Sequence, residues 1–399
     1  MIKMKMAPIR IVFFSHSSEL SGAPRCLLEL LESIDRSSYT PIVVAPMNGP
    51  LIEALKEARI DFRTIKEINW LYLYCQTSNL FIRLFYLLER ILLNIYLTGY
   101  SYYLIHQCKA DLIYLNTIAS RYAAISAKLS GLPVIWHIHE GYQNKLKRAF
   151  FYFLVRLVAS KVIFTSKASE SLWGFEKVKG KSVWVYNGID LEKVEELSRS
   201  KIEIDFEKDK TSIGYIGQIN PYKGINILIE AMEKVKEVFP NAICWIIGKP
   251  SPYQEKYYES LKDCVIRKEL EHNIKFIDFQ PNIFPLLAKI DILVIPSMYE
   301  TFGRSLIEGM ALAKPIIATR VGGIPEIVID NETGILVSPD DSNQLSKALL
   351  ILLSEPDLRL KLGEGGKKRV KDLFSLENYY KKIEAIIAEL LEDKLKANI

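Results

Sequence analysis

Two carboxylates, Glu300 and Glu308, flank Gly303 in the run YETFGRSLIEGMALA, Tyr299 to Ala313. A carboxylate only accepts hydrogen bonds, so each suits a ligand's hydroxyl groups, while the unpaired N–H groups of a helix start between them suit an anion. A nucleoside diphosphate carrying a sugar has that layout. Lys223, in the loop GQINPYKG (Gly217 to Gly224), adds an ammonium beside a second helix start, where charge and backbone dipoles point at the same phosphate. In VIWHIHEGY, His139 and Glu140 follow an apolar run, and alternation puts His137 and His139 on one face, one packed in the strand and the other reaching past it. Gly322 and Gly323 offer backbone N–H groups with no side chain in the way. Taken singly, each residue has a plainer reading: a helix cap for Glu300, solvated charges for Glu308 and Lys223, a satisfied structural imidazole for His139.

The elements that must hold these residues alternate strand with helix. DILVIPS (Asp291 to Ser297) and KPIIAT (Lys314 to Thr319) read as buried strands around the glutamate-bearing helix, which puts Glu300 in the loop beyond a strand's C-terminal end. Strand-length apolar runs begin at Ile9, Thr40, Asp61, Asp111, Val134, Lys161 and Ser182 in the first half, and at Ser212, Ala242, Ile274, Ile292, Ile316 and Ile335 in the second. The pattern predicts an α/β protein of two doubly wound, Rossmann-like parallel-sheet domains facing each other across a cleft. We place the first domain at 1–190 and the second at 191–375, with a closing helix, 376–399, packing back on the first. The polar run EELSRSKIEIDFEKDKTS (Glu195 to Ser212) is the best linker candidate, and Asp341 with Gln344 reads as a capping box. The first loop, SHSSELSGAPR (Ser15 to Arg25), ends with Gly22 and Pro24 placed for a helix start, where backbone N–H groups would meet a phosphate or an acceptor hydroxyl.

Composition narrows the class. At 399 residues, with 49% hydrophobic and 25% charged residues, the chain is globular and long enough for more than one core. Residues 1–190 carry nine more Lys and Arg than Asp and Glu, while the remainder carries four fewer, so the first half suits an anionic partner. Five scattered cysteines without a C-x-x-C argue against a disulfide framework or a zinc cluster. No signal peptide is legible, and a cytoplasmic protein is expected. No two aspartates are separated by one residue, so no metal and no cofactor is expected; nor is nucleic acid a partner. Two amphipathic stretches, Phe81 to Tyr103 and Lys145 to Val158, either pack on their own sheet or dip into an anionic membrane surface as a peripheral contact.

Only the embedding makes the glutamate pair specific: E-x-F-G-x-x-x-x-E, then Lys314-Pro315, then Gly322-Gly323-Ile324-Pro325-Glu326. This run resembles the C-terminal signature of the large family of retaining GT-B glycosyltransferases that use nucleotide-sugar donors, glycosyl transferases group 1. The resemblance implies transfer of a sugar, with retention, from a nucleoside diphosphate to a hydroxyl of a glycan or lipid-linked glycan, in cell-surface polysaccharide or glycoconjugate synthesis. It assigns Glu308 to the ribose hydroxyls, Glu300 and His139 to the donor sugar, and Lys223 to the leaving diphosphate. Gly22, Phe302, Gly303, Arg304, Gly322 and Gly323 would line the donor site, and His16 and Glu140 the acceptor site. Relatives usually carry an Arg five residues before the lysine; here that position is Gln218, which removes a positive charge unless Arg304 or Arg320 replaces it. Two other readings share the fold: a sugar-nucleotide epimerase, which needs no acceptor, and a protein that binds a nucleotide-sugar without turning it over.

Overall fold

The structure is a computed structural model that describes residues 7–65, 80–178, 180–202, 204, 206 and 210–397. Among these the chain divides into two compact units. The first runs to Thr165, takes in Glu170–Val185 and resumes at Tyr379; the second comprises Ser166–Ser169 and Tyr186–Asn378.

The first unit is built on a sheet of β1 (Ile9–Ser15), β2 (Tyr39–Pro46), β3 (Asp61–Ile65), β4 (Leu112–Asn116), β5 (Val134–Ile138), β6 (Lys161–Phe164) and β7 (Ser182–Trp184). Their order is 3-2-1-4-5-6-7, and every pair is parallel. The second unit repeats the plan with β8 (Ser212–Ile216), β9 (Ile243–Ile247), β10 (Ile274–Ile277), β11 (Ile292–Ile295), β12 (Ile316–Thr319) and β13 (Gly334–Val337), in the order 10-9-8-11-12-13. Both are doubly wound sheets whose order reverses once, between β1 and β4 and between β8 and β11. Ligands in such folds collect outside the C-terminal strand ends at that reversal.

Continuous apolar runs suffice here because helices cover both faces of each sheet. In the second sheet, alternation splits each strand between two cores: Cys244, Ile246, Ile292 and Val294 enter one, and Trp245, Ile247, Leu293 and Ile295 the other. At the reversal, an aspartate closes the ladder at its N-terminal end in both sheets. Asp111 accepts the Arg10 N–H at 2.9 Å while its own N–H donates to the Arg10 carbonyl. Asp291 does the same with Ser212, both bonds measuring 2.7 Å.

The helix Leu376–Ala397 holds to the first unit from Tyr379 onward. Lys161 Nζ meets Glu389 Oε1 at 2.9 Å, and Tyr380 accepts the Asp35 N–H at 3.0 Å. Tyr379 is buried, and its hydroxyl is hydrogen-bonded with that of Tyr114, which lies 2.7 Å from His137 Nδ1.

Two expectations change, and a third is narrowed. The run Glu195 to Ser212 does not link the units, since the chain passes between them after Thr165, Ser169, Val185 and Asn378; it opens inside the helix Leu191–Ser198, whose Val194 is buried in the second unit's core. Only Glu195–Ser198 of the run are helical, with Glu195 paired to Lys367 at 2.8 Å; residues 203, 205 and 207–209 lie outside the described residues. Half of the capping box forms: Asp341 accepts the Gln344 N–H, but the Gln344 side chain takes the Ser338 N–H instead of reaching back. The stretch Phe81 to Tyr103 lies within one helix, Leu80–Gln107. The side chains of Phe81, Leu84 and Phe85 lie outside the described residues, while Leu88, Ile91, Leu92 and Ile95 are exposed rather than packed on the sheet. No helix among the described residues is long and apolar enough to cross a membrane.

Burial, and then the neighbouring His139, holds the pKa of fully buried His137 well below its ordinary 6.5. The unfolded chain then takes up a proton first as pH falls, so this part of the stability is intact above about 6.5 and is lost on acidification through that value. We expect the melting temperature to drop as pH falls below about 6.5. The decline should be shallower in His137→Gln, which keeps an acceptor for Tyr114; equal slopes would place the titrating group elsewhere.

Candidate functional site

At the C-terminal edge of the second sheet, the loop after β11 and the loop after β8 bring four charged side chains together in two pairs. Lys223 stands in a single turn of 3-10 helix, Pro221–Lys223, whose first N–H groups are capped by the Asn220 side chain. Its ammonium lies 2.5 Å from Glu300 Oε2, with the side chains 26% and 14% exposed. Five residues into the next helix, Arg304–Ala311, Glu308 Oε1 accepts from Arg304 Nε at 2.9 Å, both side chains nearly buried. Gly303 caps that helix at φ 97°, between the two pairs. The helix lies close on the sheet because Gly309 faces Leu293, where a Cβ would sit 2.4 Å from the leucine methyl. That close approach carries Glu308 in beside the strand ends.

The loops are locked by backbone contacts that leave no room for side chains. An added Cβ at Gly322, whose φ is 49°, would sit 1.8 Å from the Glu300 carbonyl oxygen, and one at Gly224, φ 66°, would sit 2.0 Å from that of Pro296. Gly323 donates its N–H to the same Glu300 carbonyl at 3.1 Å. The backbone of Glu300 is thus set by the segment after β12, while its carboxylate is set by Lys223.

The other anticipated residues fall as follows. Gln218 is exposed; its carbonyl accepts from the buried Tyr215 hydroxyl at 2.7 Å and its side chain from Ser251 at 3.3 Å. Arg320, half exposed, is paired with Asp330 at 2.6 Å, and Arg304 with Glu308, so both candidate replacements for the missing arginine are engaged with carboxylates. Phe302 is buried, its ring 6.1 Å from those of Tyr186 and Phe374, so its side chain serves the core and only its backbone faces the loop. Glu326, expected to cap the short helix after Gly323, instead accepts the N–H groups of Lys167 and Ala168 and the Tyr186 hydroxyl at 2.7–3.0 Å.

In the first unit, His139, His16 and Glu140 lie just past the ends of β5 and β1. Burial pushes His16 below the ordinary imidazole value, and its Nδ1 has no hydrogen-bond partner. Burial raises the Glu140 carboxyl, opposed by the Ile118 N–H that it accepts at 3.2 Å. The rings of His137 and His139 stand 4.1 Å apart, His137 sealed in the strand. Gly22 is exposed in the first turn of the helix Gly22–Ser33, with open space around it. The residue that sequence reasoning missed is Asn116. It ends β4, pairs with Ser15 across the reversal, donates from Nδ2 to the Ala23 carbonyl and so turns Oδ1 toward His139 Nε2 at 3.1 Å. An amide oxygen only accepts, so that imidazole nitrogen carries the proton. The available signal was position alone, a polar residue at the end of the strand beside the switch point.

Among the described residues, no group of three or more His, Cys, Asp or Glu side chains stands ready to hold a metal ion. The site offers paired charges, helix starts and bare backbone at the mouth of a doubly wound sheet.

Comparison with known proteins gives that arrangement its class. The sequence pattern of glycosyl transferases group 1 matches residues 198–369, and that of glycosyltransferase family 4 matches residues 20–193. The uncharacterized glycosyltransferase MJ1178 of Methanocaldococcus jannaschii is 30% identical over 275 residues, 67% of this chain and 71% of that protein. The capsular polysaccharide biosynthesis glycosyltransferase CapM of Staphylococcus aureus is 26% identical over 291 residues, 67% of this chain and 74% of that one. Among solved structures, Anabaena HepE with UDP and glucose superposes with a TM-score of 0.77 at 21% identity, over 95% of this chain and 99% of that one. The chain belongs to the group 1 glycosyltransferases, with the two Rossmann-like domains of the GT-B fold, and is related to enzymes of polysaccharide and glycoconjugate synthesis.

Gly322→Ala tests the backbone lock. The added methyl must displace the Glu300 carbonyl at a left-handed φ, and we expect about 2–5 kcal/mol of lost stability in chemical denaturation. A loss under about 1 kcal/mol would mean that the loop yields without cost.

Proposed function

We propose that the second unit binds a nucleoside-diphosphate sugar and that the sugar is transferred, with retention, to a hydroxyl of a glycan or lipid-linked glycan held by the first unit. The observation that carries this reading is the meeting of the Lys223–Glu300 and Arg304–Glu308 pairs around Gly303 at the C-terminal edge of the second sheet. Two buried or half-buried ion pairs with a helix start between them are costly to assemble for stability alone. They suit a ligand that is anionic at its centre and hydroxylated at both ends. On donor binding, Lys223 turns from Glu300 to the diphosphate, which frees Glu300 for the sugar, and Glu308 takes the ribose hydroxyls. HepE, of the same fold, has been crystallised with UDP and with UDP-glucose. That supports a nucleoside diphosphate as the ligand class without naming the base or sugar here.

The reading assigns no side chain as a nucleophile and has the acceptor attack on the face from which the diphosphate leaves, with a phosphate oxygen taking the hydroxyl proton. Stabilising the departing diphosphate is then the main catalytic task, and Lys223 carries it without a metal. His139 is proposed as a sugar contact, its tautomer set by Asn116. Gln218 in place of arginine leaves one cation fewer at the leaving group and favours slow turnover.

A thermal-shift screen against nucleoside diphosphates and their sugars, without metal, tests the donor site. One diphosphate should raise the melting temperature, and Glu308→Ala and Lys223→Ala should each abolish the rise. Transfer, or slow hydrolysis of that donor, should fall on the order of 100- to 1,000-fold in Lys223→Ala and increase in Gln218→Arg. A shift without transfer or hydrolysis, in wild type and Gln218→Arg alike, would replace the enzyme with a nucleotide-sugar binding protein, and release of an altered sugar without acceptor would replace transfer with epimerisation.

A further inference from the structure

The helix Lys145–Val158 is apolar on two faces, and the fold uses one of them. Val155 and Val158 are buried, and Phe151, Tyr152 and Leu154 pack against the first unit's core. On the other side Leu146, Phe150, Phe153 and Leu157 recur at helical spacing and are 83%, 63%, 67% and 65% exposed. The neighbouring helix Arg121–Leu129 continues the exposure with Ile125 and Leu129. It is tied to the helix Leu80–Gln107 by Ser126 Oγ donating to the Thr98 carbonyl and Thr98 Oγ1 to that of Tyr122. That third helix adds exposed Ile91, Leu92, Ile95 and Tyr96. An exposed apolar surface on this scale marks an interaction site.

The charge on the two shorter helices and the segments around them is predominantly basic, although the third helix carries Glu89 and Glu389 pairs with Lys161. From Leu112 through Ser169 the chain has eight Lys and Arg and a single acid, Glu140, whose carboxylate accepts the Ile118 N–H. Lys181 donates to the Arg156 carbonyl, and the charges of Lys128 and Arg156 bear on its ammonium, so three cations gather at the C-terminal ends of the two shorter helices. Beside them is a cleft of about 350 Å³ lined by Lys128, Pro133, Val158, Ser160 and Leu390. Aliphatic and aromatic side chains interleaved with cations match a bilayer interface, where the apolar groups enter the acyl boundary and the cations meet lipid phosphates. A second copy of the chain would instead press like charges together.

We propose that this face of the first unit, Leu146, Phe150, Phe153 and Leu157 with Lys128, Arg156 and Lys181, docks on the surface of an anionic lipid bilayer. It rests on the lipid-linked acceptor reading for its purpose, since docking would hold the first unit where such acceptors lie, but it stands on the exposed stripe and its charge.

Vesicle sedimentation of the full chain decides. Wild type should sediment with phosphatidylcholine vesicles containing phosphatidylglycerol, less at high salt and far less with phosphatidylcholine alone. Leu146→Ser/Phe150→Ser/Phe153→Ser should lower partitioning about tenfold or more, while keeping the nucleotide-induced thermal shift of wild type. Lys128→Gln/Arg156→Gln, chosen because it leaves the packing untouched, should weaken binding only to the anionic vesicles. The proposal is overturned if wild type stays in the supernatant, if both variants sediment like wild type, or if light scattering finds a dimer that the serine substitutions convert to monomers. If no variant, wild type included, responds to any nucleotide while vesicle binding behaves as described, the donor reading fails and the docking surface remains.

Discussion

Backbone packed on backbone at the mouth of the second sheet is the constraint on which the candidate site depends. The Glu300 carbonyl lies where a side chain at position 322 would be, and the Pro296 carbonyl where one at 224 would be, so the three loops that meet there can approach only because glycine occupies those positions. Once the loops are fixed, side-chain placement follows with little freedom. Glu300 is held from behind by the Gly323 N–H and in front by Lys223, and Glu308 is carried in by a helix that lies flat on β11 at Gly309. Charged groups so placed need no reorganisation to meet an anionic ligand, which is the condition for strong electrostatic stabilisation.

The first unit uses a different device for a related end. Its polar residues at the strand ends are organised by a buried chain of hydrogen bonds, Tyr379 to Tyr114 to His137, and by Asn116, which links the start of the first helix to His139. Burial keeps His137 neutral, so the ring beside His139 adds no charge to it. The two units therefore differ: ion pairs in the second, a hydrogen-bonded cluster of histidine, tyrosine and asparagine side chains in the first.

The sheets were legible because most of the strands among the described residues are short apolar runs between turn signals, and β3, β5, β8, β10, β11 and β12 fall on the anticipated residues. The polar run from Glu195 misled because its first four residues close a short helix whose one buried residue, Val194, stands just before the run and leaves almost no periodic signal. The candidate site was legible where motif and fold rule coincide, at Glu300, Gly303 and Glu308. It was not legible where a contact joins distant segments: nothing in the local sequence pairs Asn116 with His139, or turns Glu326 toward Lys167 and Ala168. Phe302 shows the converse, a motif residue whose ring belongs to the core.

Asp111 and Asp291 have a consequence that reaches past their own hydrogen bonds. Each closes the ladder between the two neighbouring strands at which the order reverses, at the end away from the loops. In the first unit the pairing then runs from that clamped base to Ser15 and Asn116 at the mouth. Register is settled at the base, so loops at the mouth can be lengthened, shortened or recharged without the strands slipping past one another. A change such as glutamine at position 218 then alters the chemistry at the mouth and leaves the scaffold as it was. The same clamp in both units gives one chain two mouths free to diverge, one toward ion pairs and one toward hydrogen-bonded side chains.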